Sequence, residues 1–368
     1  VRVVILSKAL VAGSYQRKLE EIARLGVELT ALVPESWREP RVGVSRLERR
    51  YTAGYQLDAL PIALNGRHHV HFYPTLGPAL RRLRPEVLHV DEESFNLATF
   101  QAMRLGVALG ARCCFYNYAN IHRWYPPPFA FFERYSFRHA AHALACNQEA
   151  AAIIRRHGYA GPLTVVPQFG VDPELFAPPP GSPALRPFTV GYLGRLVPEK
   201  GVLDLVEAVA GLPGARLRIV GDGSQRAAIE RRAAERGLGP RIELLPAVGS
   251  TGVPAALAGF DALALPSRTT PSWKEQFGRV LIEAMSCGVP VVGSSSGEIP
   301  HVVGDGGLTF PEGDVAALRG RLAALQADPG LRAELARRGR ERVLAHYTQA
   351  AIARRHVAVY REMLGLPA

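Results

Sequence analysis

Short runs of β-branched and aliphatic residues recur along the whole chain, separated by stretches whose apolar residues fall at helical spacing. Runs of this kind, apolar throughout rather than alternating, suit strands buried on both faces, and helices between them supply the cover. In the first half, Val1–Leu6, Val27–Val33, Pro85–Val90, Arg112–Tyr116, His142–Ala145 and Leu163–Val166 predict strands, with helices over Ser14–Ile22, Phe95–Leu109 and Gln148–His157. The second half repeats the scheme. Strands are predicted at Phe188–Leu193, Ala215–Val220, Ile242–Leu245, Ala262–Leu265 and Val289–Val292, and helices at Gly201–Ala210, Gln225–Arg236, Val280–Ser286 and Val315–Gln326. Between the halves, Ala177-Pro178-Pro179-Pro180-Gly181-Ser182-Pro183 is too stiff and polar for the interior of an element and reads as a linker.

With 368 residues the chain also exceeds what one hydrophobic core usually supports. The expected fold is therefore α/β, with two doubly wound, Rossmann-like domains at 1–178 and 184–348. A terminal helix, Gln349–Leu364 within 349–368, is expected to pack back on the first. Open parallel sheets bind ligands at the carboxyl ends of their strands, so the two domains are expected to face a central cleft.

Composition excludes several classes. Hydrophobic content of 48% with 21% charge is incompatible with wholesale disorder, and no run reaches the roughly 18 apolar residues of a membrane helix. The apolar run Val1–Leu6 turns polar at Ser7-Lys8 without the pattern of a signal peptide. Cys113, Cys114, Cys146 and Cys287 lack metal-ligand spacing, which fits the reducing cytosol. The net charge of +11 is spread evenly, 21 Lys+Arg against 15 Asp+Glu in residues 1–180 and 23 against 18 in 181–368. A nucleic-acid module would concentrate it, so none is expected. Only four of the 44 basic residues are lysine (Lys8, Lys18, Lys200, Lys274), which singles out places where a compact ammonium matters.

Three segments carry chemistry. In Gly191-Tyr192-Leu193-Gly194-Arg195-Leu196-Val197-Pro198-Glu199-Lys200-Gly201 a strand runs through a glycine turn toward a helix, with two cations beside it. Such a turn suits a diphosphate, and equally an ordinary connection with surface cations. Gly221-Asp222-Gly223 lacks the third glycine of a dinucleotide fingerprint, since Arg226 occupies its place, and reads as a tight turn. In Pro266-Ser267-Arg268 and Trp273-Lys274-Glu275-Gln276-Phe277-Gly278-Arg279-Val280-Leu281-Ile282-Glu283-Ala284-Met285, Glu275 precedes a helix and Glu283 interrupts its apolar face. A carboxylate buried there needs donors: ligand hydroxyls, backbone amides or an arginine.

Gly194-Arg195 with Lys200, and Glu275 separated by seven residues from Glu283, resemble the retaining GT-B-type glycosyltransferases of family four. The resemblance extends to Val165–Asp172 and Ser296-Gly297-Glu298-Ile299-Pro300. It implies a GT-B enzyme moving a sugar from a nucleotide-sugar to a hydroxyl acceptor, with retention, no metal and no further cofactor. On that resemblance Arg195 and Lys200 hold the donor diphosphate. Glu275, with the backbone at Phe277 and Gly278, binds donor sugar hydroxyls, and Glu283 binds the ribose. Gly194 shapes the phosphate turn, Pro246-Ala247-Val248 meets the base, and Gly13 within Val11-Ala12-Gly13-Ser14 approaches the phosphate from the first domain.

The chain departs from the family after the strand at Arg112–Tyr116, where relatives carry a residue facing the sugar. Here Ala119 takes that place, with Asn120 and His122 as neighbouring candidates. Asp91-Glu92-Glu93 is open to two readings, hydroxyl binding or a solvated loop. The aromatic stretch Tyr125–Tyr135 is either core packing or an apolar surface toward a lipid-linked acceptor, and dispersed positive charge suits weak association with an anionic membrane. Rival functions on the same fold are a nucleotide-sugar epimerase or hydrolase, and a non-catalytic sugar-binding protein.

Overall fold

The computed structural model describes residues 1–39, 43–179 and 186–367. It divides into one unit of Val1–Phe169 with Gln349–Ala368 and another of Gly170–Thr348.

The first unit holds strands β1 (Arg2–Leu6), β2 (Glu28–Pro34), β3 (Ser36–Glu39), β4 (Gly43–Arg46), β5 (Gln56–Leu60), β6 (Val87–Val90), β7 (Arg112–Asn117), β8 (His142–Ala145) and β9 (Leu163–Val165). Seven form one parallel sheet in the order β5-β2-β1-β6-β7-β8-β9, while β3 and β4 make a separate antiparallel pair. Strand order reverses between β1 and β6. Helices α1 (Arg17–Arg24), α2 (Leu76–Leu83), α3 (Leu97–Ala108), α4 (Phe129–His139) and α5 (Gln148–Arg156) alternate with the strands. Because side chains alternate across a strand, Val3 and Ile5 enter one apolar cluster and Val4 and Leu6 the other. The second of these clusters, with Leu76, Leu80, Ala98, Ala102 and Met103, lies under α2 and α3.

The second unit repeats the topology with β10 (Thr189–Leu193), β11 (Arg216–Val220), β12 (Ile242–Leu245), β13 (Ala262–Leu265), β14 (Val291–Ser294) and β15 (Leu308–Phe310), all parallel, in the order β12-β11-β10-β13-β14-β15. This is the doubly wound order, with its reversal between β10 and β13. Its helices are α6 (Val202–Ala210), α7 (Arg226–Glu235), α8 (Val253–Leu257), α9 (Arg279–Ser286), α10 (Ile299–Val303), α11 (Val315–Ala327) and α12 (Pro329–His346). The last helix, α13 (Gln349–Met363), belongs to the first unit, where Ile352, Val357, Tyr360 and Met363 are buried in its core. Arg112 Nε donates to the Met363 carbonyl at 3.0 Å, tying its end to β7.

One expected boundary moves. The first unit stops at Phe169 rather than 178, because Val171 pairs with Thr348 and both Val171 and Phe176 are buried in the second unit's core. Of the expected linker, Pro180, Gly181, Ser182 and Pro183 lie outside the described residues, as do Ala184, Leu185 and Ala368.

Candidate active site

Chemistry-bearing side chains of the second unit gather at the carboxyl ends of β10, β11 and β13. After β10, Gly194 N–H donates to the Val220 carbonyl at 3.0 Å, Leu196 N–H to Asp222 at 2.9 Å, and Gln225 N–H back to Leu196 at 2.9 Å. A Cβ on Gly221 would strike the Gly194 carbonyl oxygen, and one on Gly223 that of Leu196. The two glycine turns therefore interlock, and the second pair serves as a brace for the first. Arg195, at the tip of that turn, is exposed and engaged in no ion pair among the described residues.

Lys200 precedes the helix that follows β10. Pro198–Lys200 form a 3-10 turn, Gly201 takes a left-handed φ of 64°, and α6 starts at Val202. A Cβ on Gly201 would strike the Pro266 carbonyl oxygen, and Arg268 N–H donates to the Glu199 carbonyl at 2.8 Å. The turn is thus pressed onto the segment after β13. Across that junction Lys200 Nζ meets Glu275 Oε2 at 2.5 Å and stands 4.8 Å from the centre of the Trp273 ring. Ser267 Oγ donates to the same carboxylate oxygen at 2.9 Å, and Ser294 Oγ holds Ser267 through its carbonyl at 2.6 Å. Glu298 N–H donates to the Glu275 carbonyl at 3.1 Å. Both carboxylate and ammonium are mostly buried, 9% and 14% exposed.

Gly278, in the left-handed region at φ 76°, caps α9. The N–H groups of Phe277 and Gly278 have no protein acceptor among the described residues, so the positive end of α9 is left open for an oxygen ligand. Phe277 packs edge-on against Tyr347, ring centres 5.7 Å apart. Glu283, one turn on, is buried and takes Arg279 Nε at 2.9 Å. Of the three donor types open to it, the arginine of its own helix is the one present. Burial pushes its carboxyl above the ordinary range, against the pull of Arg279. Val248 is exposed beyond β12, on a loop fixed by Ala247 N–H donating to Asp222 Oδ2 at 2.8 Å.

In the first unit Gly13 N–H donates to Glu48 Oε2 at 2.9 Å, and the residue is buried in a 3-10 turn, Gly13–Tyr15. Asp91-Glu92-Glu93 is no solvated loop. Asp91 accepts from Ser7 Oγ at 2.6 Å and from Tyr118 OH, and fully buried Glu92 pairs with Lys8 and accepts from Asn96 Nδ2 at 3.2 Å. Burial alone would raise the Glu92 carboxyl, but Lys8 and His71 bring it down to about 2. Burial pushes Glu93 up to about 7 despite N–H donation from Tyr118 and Ala119.

Asn120 is buried. His122 is half-buried, edge-on to Trp124 at 5.0 Å and to His157 at 5.1 Å; burial, with Arg156 and His157 nearby, holds its imidazole below the usual value. His157 Nδ1 in turn sits 3.0 Å from Glu133 Oε1. Sequence reasoning included Ser267 and Trp273 in their segment without giving either a role, and passed over the Glu133–His157 pair. The scarcity of lysine marked Lys8 but not its partner. Among the described residues, no group of three or more His, Cys, Asp or Glu side chains is arranged to hold a metal ion.

Two family descriptions divide the chain: Glycosyltransferase Family 4 over residues 16–175 and Glycosyl transferases group 1 over 179–342. The 2-deoxystreptamine N-acetyl-D-glucosaminyltransferase of Streptomyces fradiae is 29% identical over 314 residues, 74% of this chain and 72% of that one. The lipopolysaccharide core biosynthesis glycosyltransferase LpsE of Rhizobium meliloti is 26% identical over 90% of this chain and 89% of its own. Among solved structures, Anabaena HepE in complex with UDP superposes with a TM-score of 0.74 at 17% identity, over 98% of this chain and 100% of that one. The chain belongs to the group 1 glycosyltransferases, GT-B enzymes of two Rossmann-like domains that transfer a sugar from a nucleotide-sugar donor.

Proposed function

We propose that this enzyme is a cytoplasmic, retaining glycosyltransferase that passes the sugar to a hydroxyl acceptor by front-face displacement. The observation that carries the reading is the buried Lys200–Glu275 pair, 2.5 Å apart, beside the open N-terminus of α9 and the Arg195 turn. Departure of a nucleoside diphosphate builds negative charge on its terminal phosphate. Preorganised cations stabilise that charge better than water can. Arg195 and Lys200 are assigned to the diphosphate, with Gly194 allowing its approach. Glu275 and the N–H groups of Phe277 and Gly278 are assigned to the donor sugar, Glu283 to the ribose, and the backbone around Val248 to the base. Asn120 and His122 are the proposed sugar- and acceptor-side residues of the first unit.

In this mechanism the acceptor oxygen enters on the face the diphosphate leaves. Its proton passes to the departing phosphate oxygen, so no side-chain nucleophile is needed, and no metal or further cofactor is invoked. The S. fradiae and R. meliloti relatives carry names specifying an aminocyclitol and a lipopolysaccharide core. Accordingly, the acceptor is proposed to be a glycan, a lipid-linked sugar or a small polyol. Peripheral contact with an anionic membrane is part of the same proposal.

A thermal-shift panel of nucleoside diphosphates and their sugars, beginning with UDP, names the donor. With that donor, Lys200→Ala and Glu275→Ala should each lower kcat at least 10²-fold, measured below the melting temperature of the variants, which breaking a buried ion pair is expected to lower. Near-normal turnover in both refutes the site. Sugar release or isomerisation from donor alone, at rates unaffected by any acceptor, would favour a hydrolase or epimerase instead.

A further inference from the structure

On the side of the first sheet covered by α2, α3 and α4 the helices carry an unbalanced charge. Together they contain Arg81, Arg82, Arg104, Arg134 and Arg138 and a single acidic residue, Glu133. Glu133 is buried and turned to His157, and Arg82 is neutralised by Asp58 at 2.8 Å. Arg81, Arg104, Arg134 and Arg138 are exposed and in no ion pair among the described residues. The same face carries a mainly apolar groove. About 540 Å³ in volume and running along α3, it is lined by Phe72, Leu97, Phe100, Gln101, Arg104, Leu105 and Ala108. Phe131, 51% exposed, stands on Phe100 with ring centres 5.5 Å apart, and Val107 and Leu109 are exposed at the far end of α3. The groove begins at Leu97, the first residue of α3, beyond the carboxyl end of β6.

We propose that this α2–α3–α4 face docks on an anionic lipid bilayer, with the four arginines among the headgroups and Phe131 and the groove at the acyl boundary. The inference rests on the proposed membrane contact and gives it a surface. Charge complementarity selects the partner: arginines without counter-charges surround apolar side chains, the layout of an interfacial membrane-binding element. Nucleic acid would leave Phe131 and the groove against a polar backbone. Because the groove reaches Leu97 at the start of α3, an acceptor held by its lipid tail in the bilayer reaches the edge where such sheets bind ligands.

The test is co-sedimentation of the full chain with phosphatidylcholine vesicles containing 30% phosphatidylglycerol, and with pure phosphatidylcholine, at 50 and 300 mM salt. Binding is expected with the anionic vesicles at low salt, falling steeply with salt, and near zero with the neutral ones. The triple variant Arg104→Glu, Arg134→Glu, Arg138→Glu should bind at least tenfold more weakly, and Phe131→Ser should weaken binding severalfold. Both variants should keep the wild-type melting temperature and the wild-type thermal shift with the donor nucleotide. Absence of binding to anionic vesicles at low salt overturns the proposal, as does equal binding by the triple variant. Preferential binding to a single-stranded oligonucleotide with vesicles ignored overturns it in favour of a nucleic acid. Loss of the nucleotide shift in the wild-type chain counts against the glycosyltransferase site and leaves the vesicle result standing on its own.

Discussion

Glu92 and Glu93 are neighbours in sequence, yet their surroundings shift their carboxyls in opposite directions. Glu92 meets the Lys8 ammonium and is held at about 2, whereas Glu93 accepts two neutral N–H groups and is pushed up to about 7 by burial. The folded value of Glu93 lies above that of the unfolded chain. Its favourable contribution is therefore complete below about pH 4 and is lost as pH rises through 7. Glu93→Gln keeps an oxygen for Tyr118 and Ala119 and removes the titration. At pH 8 it should be more stable than wild type by on the order of 2–3 kcal/mol, with the gap closing toward pH 4. Melting curves at pH 8, 6 and 4 check this, and a gap independent of pH contradicts it. Trp273 offers a second test at this scale. Replacing it by Leu removes the ring near Lys200 Nζ, worth about 1 kcal/mol, so kcat/KM should fall about fivefold. Trp273→Phe should recover much of the loss in the same assay.

Interlocked glycine turns set the behaviour of the elements around them. Gly201→Ala would force both a left-handed alanine and a collision with the Pro266 carbonyl, and should cost about 2–4 kcal/mol. Because the turn carries Lys200, its donor-stabilised thermal shift should shrink as well; an unchanged melt and shift would show that the turn yields freely. These contacts also mark how far the sequence could be read. Strands β8, β12 and β13 match their predicted bounds, β12 even at a sheet edge, because short and predominantly apolar runs leave little choice. Edge strands β5 and β15 escaped, being a weakly patterned QLDAL and a three-residue LTF. Helix α2 contains Gly77 and Pro78 in its first turn, and α4 is so rich in aromatics that its sequence favours no single element. Packing against α3 makes both helical. At the site, the reach of Lys200 to Glu275 spans 75 positions, and the bond from Gly13 N–H to Glu48 spans 35. Neither is expressed in any local pattern.

At the scale of the molecule, α13 is the element on which the first unit depends most. Deleting residues 349–368 strips Ile352, Val357, Tyr360 and Met363 from its core and leaves His89 without the Tyr360 hydroxyl 2.8 Å away. At about 2–4 kcal/mol for each large side chain, that exceeds the 5–15 kcal/mol of a typical domain's stability or comes close to it. The truncated chain should lose the first unit's cooperative melt, while hydrogen exchange still protects β10, β11 and β13 in the second. Protection lost equally from both units would contradict this. The same return of the chain bears on synthesis. A domain made first on the ribosome usually folds first. Here the first unit is built from segments on either side of the second, which is one uninterrupted stretch. The order is inverted: the later-made half can close as soon as it emerges, while the earlier-made half waits, with the apolar side chains that will meet α13 uncovered, until α13 has been translated.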